Sequence, residues 1–224
     1  MRLAIIFLFI CLSSSAFSQE TKEAYFQYHI NARAMDTSIQ KKQAAVLYNN
    51  NVQKIYFHGD SLRVDYSMGR DMLKTTVILD YKKGFGLMLS DGPMGKTAKH
   101  DYISNMNFNA ITKDSTAVLV EFEESKTILG YECKKIMLKH NGVLSTHWVT
   151  QEIDMNMLPE GFTNPNIPGF PLESVEVADG LEITRRASAI KFEIDDPDTV
   201  FNLVNPPGYQ YQFHGSDSAQ PISD

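Results

Sequence analysis

Phe26-Gln27-Tyr28-His29-Ile30-Asn31-Ala32-Arg33 alternates strictly between apolar and polar side chains. A chain with that period-two pattern satisfies it as a β-strand, because successive strand side chains point to opposite faces. Leu62, Val64 and Tyr66 repeat the pattern around Arg63 and Asp65. Both stretches suit an antiparallel sheet with one covered face and one wetter face.

Working outward, turn chemistry recurs at short intervals. Gly59-Asp60 divides Val52–His58 from Leu62–Tyr66, and Lys82-Lys83-Gly84 divides Leu73–Tyr81 from Phe85–Leu89. Asn141-Gly142 and Asp179-Gly180 divide two further pairs of β-rich segments. Asn-Gly and Asp-Gly tolerate the positive φ of tight hairpins. Four hairpins in a row predict a meander of eight or more strands. Lys126–Leu138 and Leu181–Ile194 exceed an ordinary strand and slip parity: Leu181 and Ile183 are odd, whereas Ile190, Phe192 and Ile194 are even. A bulge or strong bend restores the facing after such a slip. The fold class expected is therefore mainly β, a strongly curved antiparallel sheet forming an incomplete barrel with a concave face. One or two short helices accompany it, the better candidate being Asp36–Leu47 with Asp36 as N-cap, the other His100–Phe108. Asp91–Gly95 and the proline-rich Leu158–Pro171 read as loops.

The chain's beginning reads as a targeting signal. Arg2 precedes the apolar run Leu3–Leu12, and Ala16-Phe17-Ser18 offers small residues at the positions a signal peptidase requires. Residues 1–18 are expected to be removed, 19–209 to form a single curved-sheet domain, and 210–224 to be a polar, disordered tail. Removal of Arg2 moves the formal charge from -6 to -7, and mild acidity argues against nucleic acid as a partner. Of the two cysteines, Cys133 alone would remain, so no internal disulfide is expected. An exported protein, periplasmic, outer-membrane-associated or secreted, is the compartment these features imply.

Sites for catalysis fail on spacing. Gly95-Lys96-Thr97 ends like a phosphate-binding loop, but Ser90 stands where the motif needs glycine. The six histidines show no zinc spacing. Asp195, Asp196 and Asp198 fall short of a calcium loop. Glu123 and Glu124 are adjacent, so a strand would point them to opposite faces. Cys133 reads as a small buried apolar group. No metal or other cofactor is called for, and no enzymatic activity.

Gly130-Tyr131-Glu132-Cys133-Lys134-Lys135, followed by His147-Trp148-Val149-Thr150, resembles a signature of exported Bacteroidota-type proteins of unknown function: Gly-Tyr-x-Cys-Lys-Lys, a hairpin, then Trp-x-Thr. Ile167-Pro168-Gly169-Phe170-Pro171-Leu172-Glu173 is similar to the defining element of the related GLPGLI family, departing from it at Asn166, Phe170 and Pro171. Phe201-Asn202-Leu203 with Pro207-Gly208-Tyr209 resembles the closing element of the same group. The resemblance implies a fold like the LolA/LolB lipoprotein carriers, an incomplete barrel whose concave side holds acyl chains.

Plentiful aromatics and methionines suit irregular apolar ligands. The expected function is binding of a lipid, a lipoprotein or another apolar ligand on the concave face. Alternation nominates Phe26, Tyr28, Ile55, Phe57, Val64, Tyr66, Ile78, Phe85, Val120, Phe122, Tyr131 and Trp148 as its lining. Peripheral association with the outer membrane or an envelope protein partner fits the same reading. The alternative is an envelope interaction module that docks through sheet edges or the loop at 158–171.

Overall fold

The computed structural model describes residues 22–106, 116–140, 143–154, 158 and 164–211. The leader at 1–18, the Asn141-Gly142 turn and residues 212–224 lie outside the described residues. Five hairpin-linked strands follow a first strand: β1 (Glu23–Ala34), β2 (Asn51–His58), β3 (Ser61–Met68), β4 (Leu73–Asp80), β5 (Phe85–Gly92) and β6 (Gly95–Tyr102). A second meander runs β7 (Val118–Ile128), β8 (Tyr131–His140), β9 (Val143–Thr150), β10 (Phe170–Ala178) and β11 (Leu181–Lys191). Helix α1 (Ile39–Tyr48) joins β1 to β2, and a 3-10 turn (Ile103–Asn105) follows β6. The short α2 (Pro197–Val200) and β12 (Gln210–Tyr211) complete the chain.

All twelve strands form one open sheet, ordered β12-β6-β5-β4-β3-β2-β1-β11-β10-β9-β8-β7. The two meanders meet where β1 pairs antiparallel with β11. The fold class expected from alternation is the one observed: a mainly β, open and curved sheet with short helices. Curvature shows in the side chains. Strand spacing is about 4.8 Å, so β1 and β10, separated by β11, would stand about 10 Å apart in a flat sheet. Yet the Phe26 and Phe170 rings meet at 4.6 Å, and Tyr28 Oη donates to the carbonyl of Pro171 at 3.2 Å.

Bulges produce the bend. The β1–β11 register slips between Gln27 and Tyr28, where Ser188 is the extra residue. The β9–β10 register slips between Pro171 and Glu173, and β7–β8 between Glu121 and Ser125. The parity change along Leu181–Ile194 has its cause in the first of these. The long strand expected over Lys126–Leu138 is instead a hairpin: Leu129 and Gly130 take positive φ and turn β7 into β8. Similarly, Asp91–Gly95 is not a loop but the end of β5, a two-residue turn and the start of β6. His100–Tyr102 belong to β6, so the helical stretch expected from His100 shrinks to the 3-10 turn.

The main core gathers Ala24, Phe26, Tyr28, Ile55, Phe57, Leu62 and Leu79 from β1–β4 with Ile128, Cys133, Phe170 and Leu172 from the second meander. Its covering over β4–β5 includes Met106. A side chain built at Gly86 would come within 3.0 Å of Met106 Cε and 2.7 Å of Leu79 Cδ2, so glycine leaves room for that methionine. Ile153 and Leu158 enter from the β9–β10 connection. Helix α1 lies over the far end, packing Ala45 on Ala32 and Leu181. Its N-cap is Ser38, not the expected Asp36: Ser38 accepts from the Lys41 N–H, while Asp36, two residues before it, accepts from the Ser38 N–H.

The opposite face of β4–β6 carries Ile78, Leu87, Leu89 and Ala98, covered by Phe201, Leu203 and Tyr209 of the C-terminal segment. That segment is tied down by Arg63 donating to the Val200 carbonyl and by His100 Nε2 against the Leu203 carbonyl at 2.7 Å. It ends as β12, parallel to β6 through Gln210 and Tyr211, two residues inside the stretch expected to be a tail. Asp196 caps α2 by accepting from the Thr199 N–H. Among the described residues no group of three His, Cys, Asp or Glu side chains is arranged to hold a metal ion.

Candidate functional site

Strand alternation places Phe26 and Tyr28 of β1, Ile55 and Phe57 of β2, and Val64 of β3 on one face, because Phe26 opposes Ile55 and Ile55 opposes Val64 in register. Directly opposed residues of an antiparallel pair share a face. The first four are sealed, none more than 2 % exposed. Tyr131 and Trp148 are half-buried and pack on the same cluster. Tyr66 shares the face of Val64, with its hydroxyl accepting from Asn51 Nδ2 at 3.0 Å. Eight of the twelve expected lining residues thus sit on this face or in its cluster.

The other four lie outside that cluster. Ile78 opposes Arg63 and belongs to the cluster under Phe201 and Leu203 on the reverse face. Phe85 is also there, stacked on His100 at 5.7 Å and nearly parallel to it. Both residues stand one position out of phase with Leu79 and Gly86, their core-facing neighbours; Leu79 and Gly86 oppose each other in the β4–β5 ladder. Val120 is 47 % exposed on edge strand β7. Phe122 is half-buried, with Lys135 Nζ 5.0 Å above its ring. A face shared by neighbouring strands follows from register, and a one-residue error reverses it.

A polar group enters the inner face as well, and the apolar alternation gave no signal for it. Arg185 on β11 opposes Ile30 of β1 and Ser174 of β10. The Arg185 guanidinium carbon lies 3.8 Å above the Tyr28 ring centroid. Burial pushes the Tyr28 hydroxyl up to about 12, partly offset by the Arg185 charge. Burial likewise pulls the guanidinium below its usual range, and Tyr28 partly restores it. On the other face of β9 from Trp148, among Ile136, Leu138 and Val149, His147 Nε2 sits 2.8 Å from Ser145 Oγ, and desolvation lowers its pKa to about 4. It is neutral at pH 7.

A nucleophilic pairing of Cys133 with His147 does not assemble. His147 opposes Ile136 on β8, three residues from Cys133, so the two side chains point to opposite faces. Cys133 is fully buried, and burial pushes its thiol up. On the Cys133 side, Lys126 Nζ stands 4.1 Å over the Trp148 ring and pairs with Glu173 at 2.7 Å. Elsewhere on the surface, a cleft of about 400 Å³ lies between the end of α1 and the β3–β4 turn, lined by Val46, Leu47, Asn49, Asn50, Gly69, Arg70 and Met72. No helix of the described residues is long and apolar enough to cross a membrane.

Among curated proteins none matches the chain. Several solved structures are similar in shape. PNGF-II, in its C2 crystal form, aligns with 85% of this chain at 15% identity and a TM-score of 0.41. The chain spans 30% of the length of that protein. The Mycobacterium tuberculosis lipoprotein LppX aligns over 76% of this chain and 88% of its own, at 8% identity and a TM-score of 0.38. A LolA superfamily protein from Nitrosomonas europaea aligns over 83% of this chain and 91% of its own, at 12% identity and a TM-score of 0.29. The family model described as domain of unknown function DUF4412 matches residues 34–160, more than half of the chain, and the protein belongs to that family.

Proposed function

We propose that this protein is an exported, non-enzymatic envelope protein that binds a lipid, a lipoprotein or another apolar ligand on the inner face of its curved sheet. One observation carries the reading: the covering of that face. A sheet packed for stability alone is ordinarily closed by a second layer of regular structure. Among the described residues, Met106, Ile153 and Leu158, all from connections between strands, pack over the apolar cluster, and the single helix of more than one turn covers the far end. Connecting segments open at lower cost than packed sheets. Swinging them aside would bare Phe26, Ile55, Phe57, Val64 and Trp148 to an acyl chain.

Delipidated protein mixed with a fluorescent fatty acid or lipopeptide tests this. Saturable uptake is expected, abolished by replacing Ile55 and Val64 together with aspartate in a variant that stays folded. Absence of uptake by the folded wild type refutes the reading.

A second reading has its own observation. Edge strand β7 shows Val118, Leu119 and Val120 at 56%, 37% and 47% exposure, and an apolar edge strand is a ready template for strand addition. In that case β7 docks an envelope partner and the main cluster is a plain core. A stoichiometric complex that survives delipidation and disappears on Val120→Lys favours it.

A further inference from the structure

We infer that the inner face carries a receptor for the acidic head group of an acyl ligand, centred on Arg185. The inference rests on the apolar-ligand reading above and adds the chemistry of the ligand's polar end.

Register sets the direction of Arg185. It opposes Ile30 across the seam between β1 and β11. Directly opposed residues share a face, so Arg185 points to the side of Ile30. The face is the one that holds Tyr28, since Arg185 stacks on that ring.

Among the described residues Arg185 is a cation without a counter-charge. Stacking uses the flat side of the guanidinium and leaves its in-plane N–H donors unspent. Its Nε is buried and has no hydrogen-bond partner. Among the described residues no carboxylate pairs with it; the neighbouring Arg186 takes Glu173 instead. A half-buried charge with a buried, unpartnered Nε is costly for a fold to keep, whereas an arginine fork fits a carboxylate through two parallel hydrogen bonds.

The walls are apolar. Tyr28 and the buried Ile30 flank Arg185. A cation set in such walls suits an amphipathic ligand, its acidic head at Arg185 and its chain along the cluster. A free inorganic anion would gain nothing from them.

The test compares cis-parinaric acid with its methyl ester on delipidated protein, with inorganic phosphate as competitor. Wild type is expected to bind the acid about tenfold or more tightly than the ester, the worth of hydrogen bonds to a charged group. Arg185→Met should bind both probes with the affinity of the ester, and Arg185→Lys should keep part of the preference. Without ligand, Arg185→Met should melt at the wild-type temperature or above it, since removing an unpaired, half-buried charge relieves the fold. Equal affinity of wild type for acid and ester overturns the head-group site and leaves the apolar-ligand reading standing. Binding of neither probe overturns both. Displacement of the acid by millimolar phosphate assigns Arg185 to free anions and overturns the site as described. Should Arg185→Met not fold, the role of Arg185 is structural, and the inference is overturned unless Arg185→Lys folds with a reduced preference for the acid.

Discussion

Phe26→Ala separates a closed core from an open hollow. Phe26 is fully buried, its ring 4.6 Å from that of Phe170 and 6.2 Å from that of Phe57. It therefore bridges β1 to β2 on one side and to β10 on the other. Truncating a phenylalanine enclosed on all sides costs about 3–5 kcal/mol, from lost transfer energy and the cavity left behind. For a domain of this size each kcal/mol moves the melting temperature by roughly 2–4 °C, so a fall of roughly 6–20 °C is expected. Trp148 is the sole tryptophan and packs on the same cluster, so its emission during a thermal melt reads the unfolding of that cluster directly. A fall below about 3 °C would mean that the ring is already wet in the free protein, and the core as described would be wrong.

His147 predicts a pH effect of definite sign. Its folded pKa, about 4, lies below the unfolded value of 6.5, so the unfolded chain takes up the proton first as pH falls. Stability from this residue is complete above pH 6.5 and declines towards pH 4 by up to roughly 3 kcal/mol; His147→Gln should flatten denaturation midpoints over that window. Gly86→Ala places a methyl 2.7 Å from Leu79 Cδ2 and 2.9 Å from the Ile78 carbonyl. A loss of about 1–3 kcal/mol is expected, and an unchanged melting temperature would show that Met106 does not cover this face. Lys126→Met removes the ammonium over Trp148 and the pair with Glu173. Its emission maximum should shift with less than about 2 kcal/mol of destabilisation, and an unshifted maximum would place Lys126 away from the ring.

The strands and their inner faces were legible wherever alternation ran unbroken, as from Phe26 to Ala32, because each face repeats every second residue. Turns announced by Asp-Gly or Lys-Gly were legible too. The Leu129-Gly130 turn was not, because a leucine there at positive φ looks like a continued apolar strand. Ile78 and Phe85 were misplaced for a related reason. Both faces of β4 and β5 are apolar, Leu79 towards the main core and Ile78 and Leu87 towards the C-terminal segment, so hydrophobicity alone does not choose a side. Arg185 was invisible because it follows Thr184 and precedes Arg186 in what reads as a polar edge. Only the register with Ile30 turns it inward.

The seam between β1 and β11 joins residues about 160 positions apart along the chain. Such pairing is slow, since a long loop must close before any bond rewards it. Strand β1 can zip onto β2 as soon as both exist, while its other side stays bare until the last long strand has been made. For that interval the nascent molecule is half a sheet with an open apolar border, prone to add a strand from a sister chain. A chaperone that shields β1 until β11 arrives would raise yield more than one acting on any hairpin, and a circular permutant that links β11 directly to β1 should refold faster than the natural order.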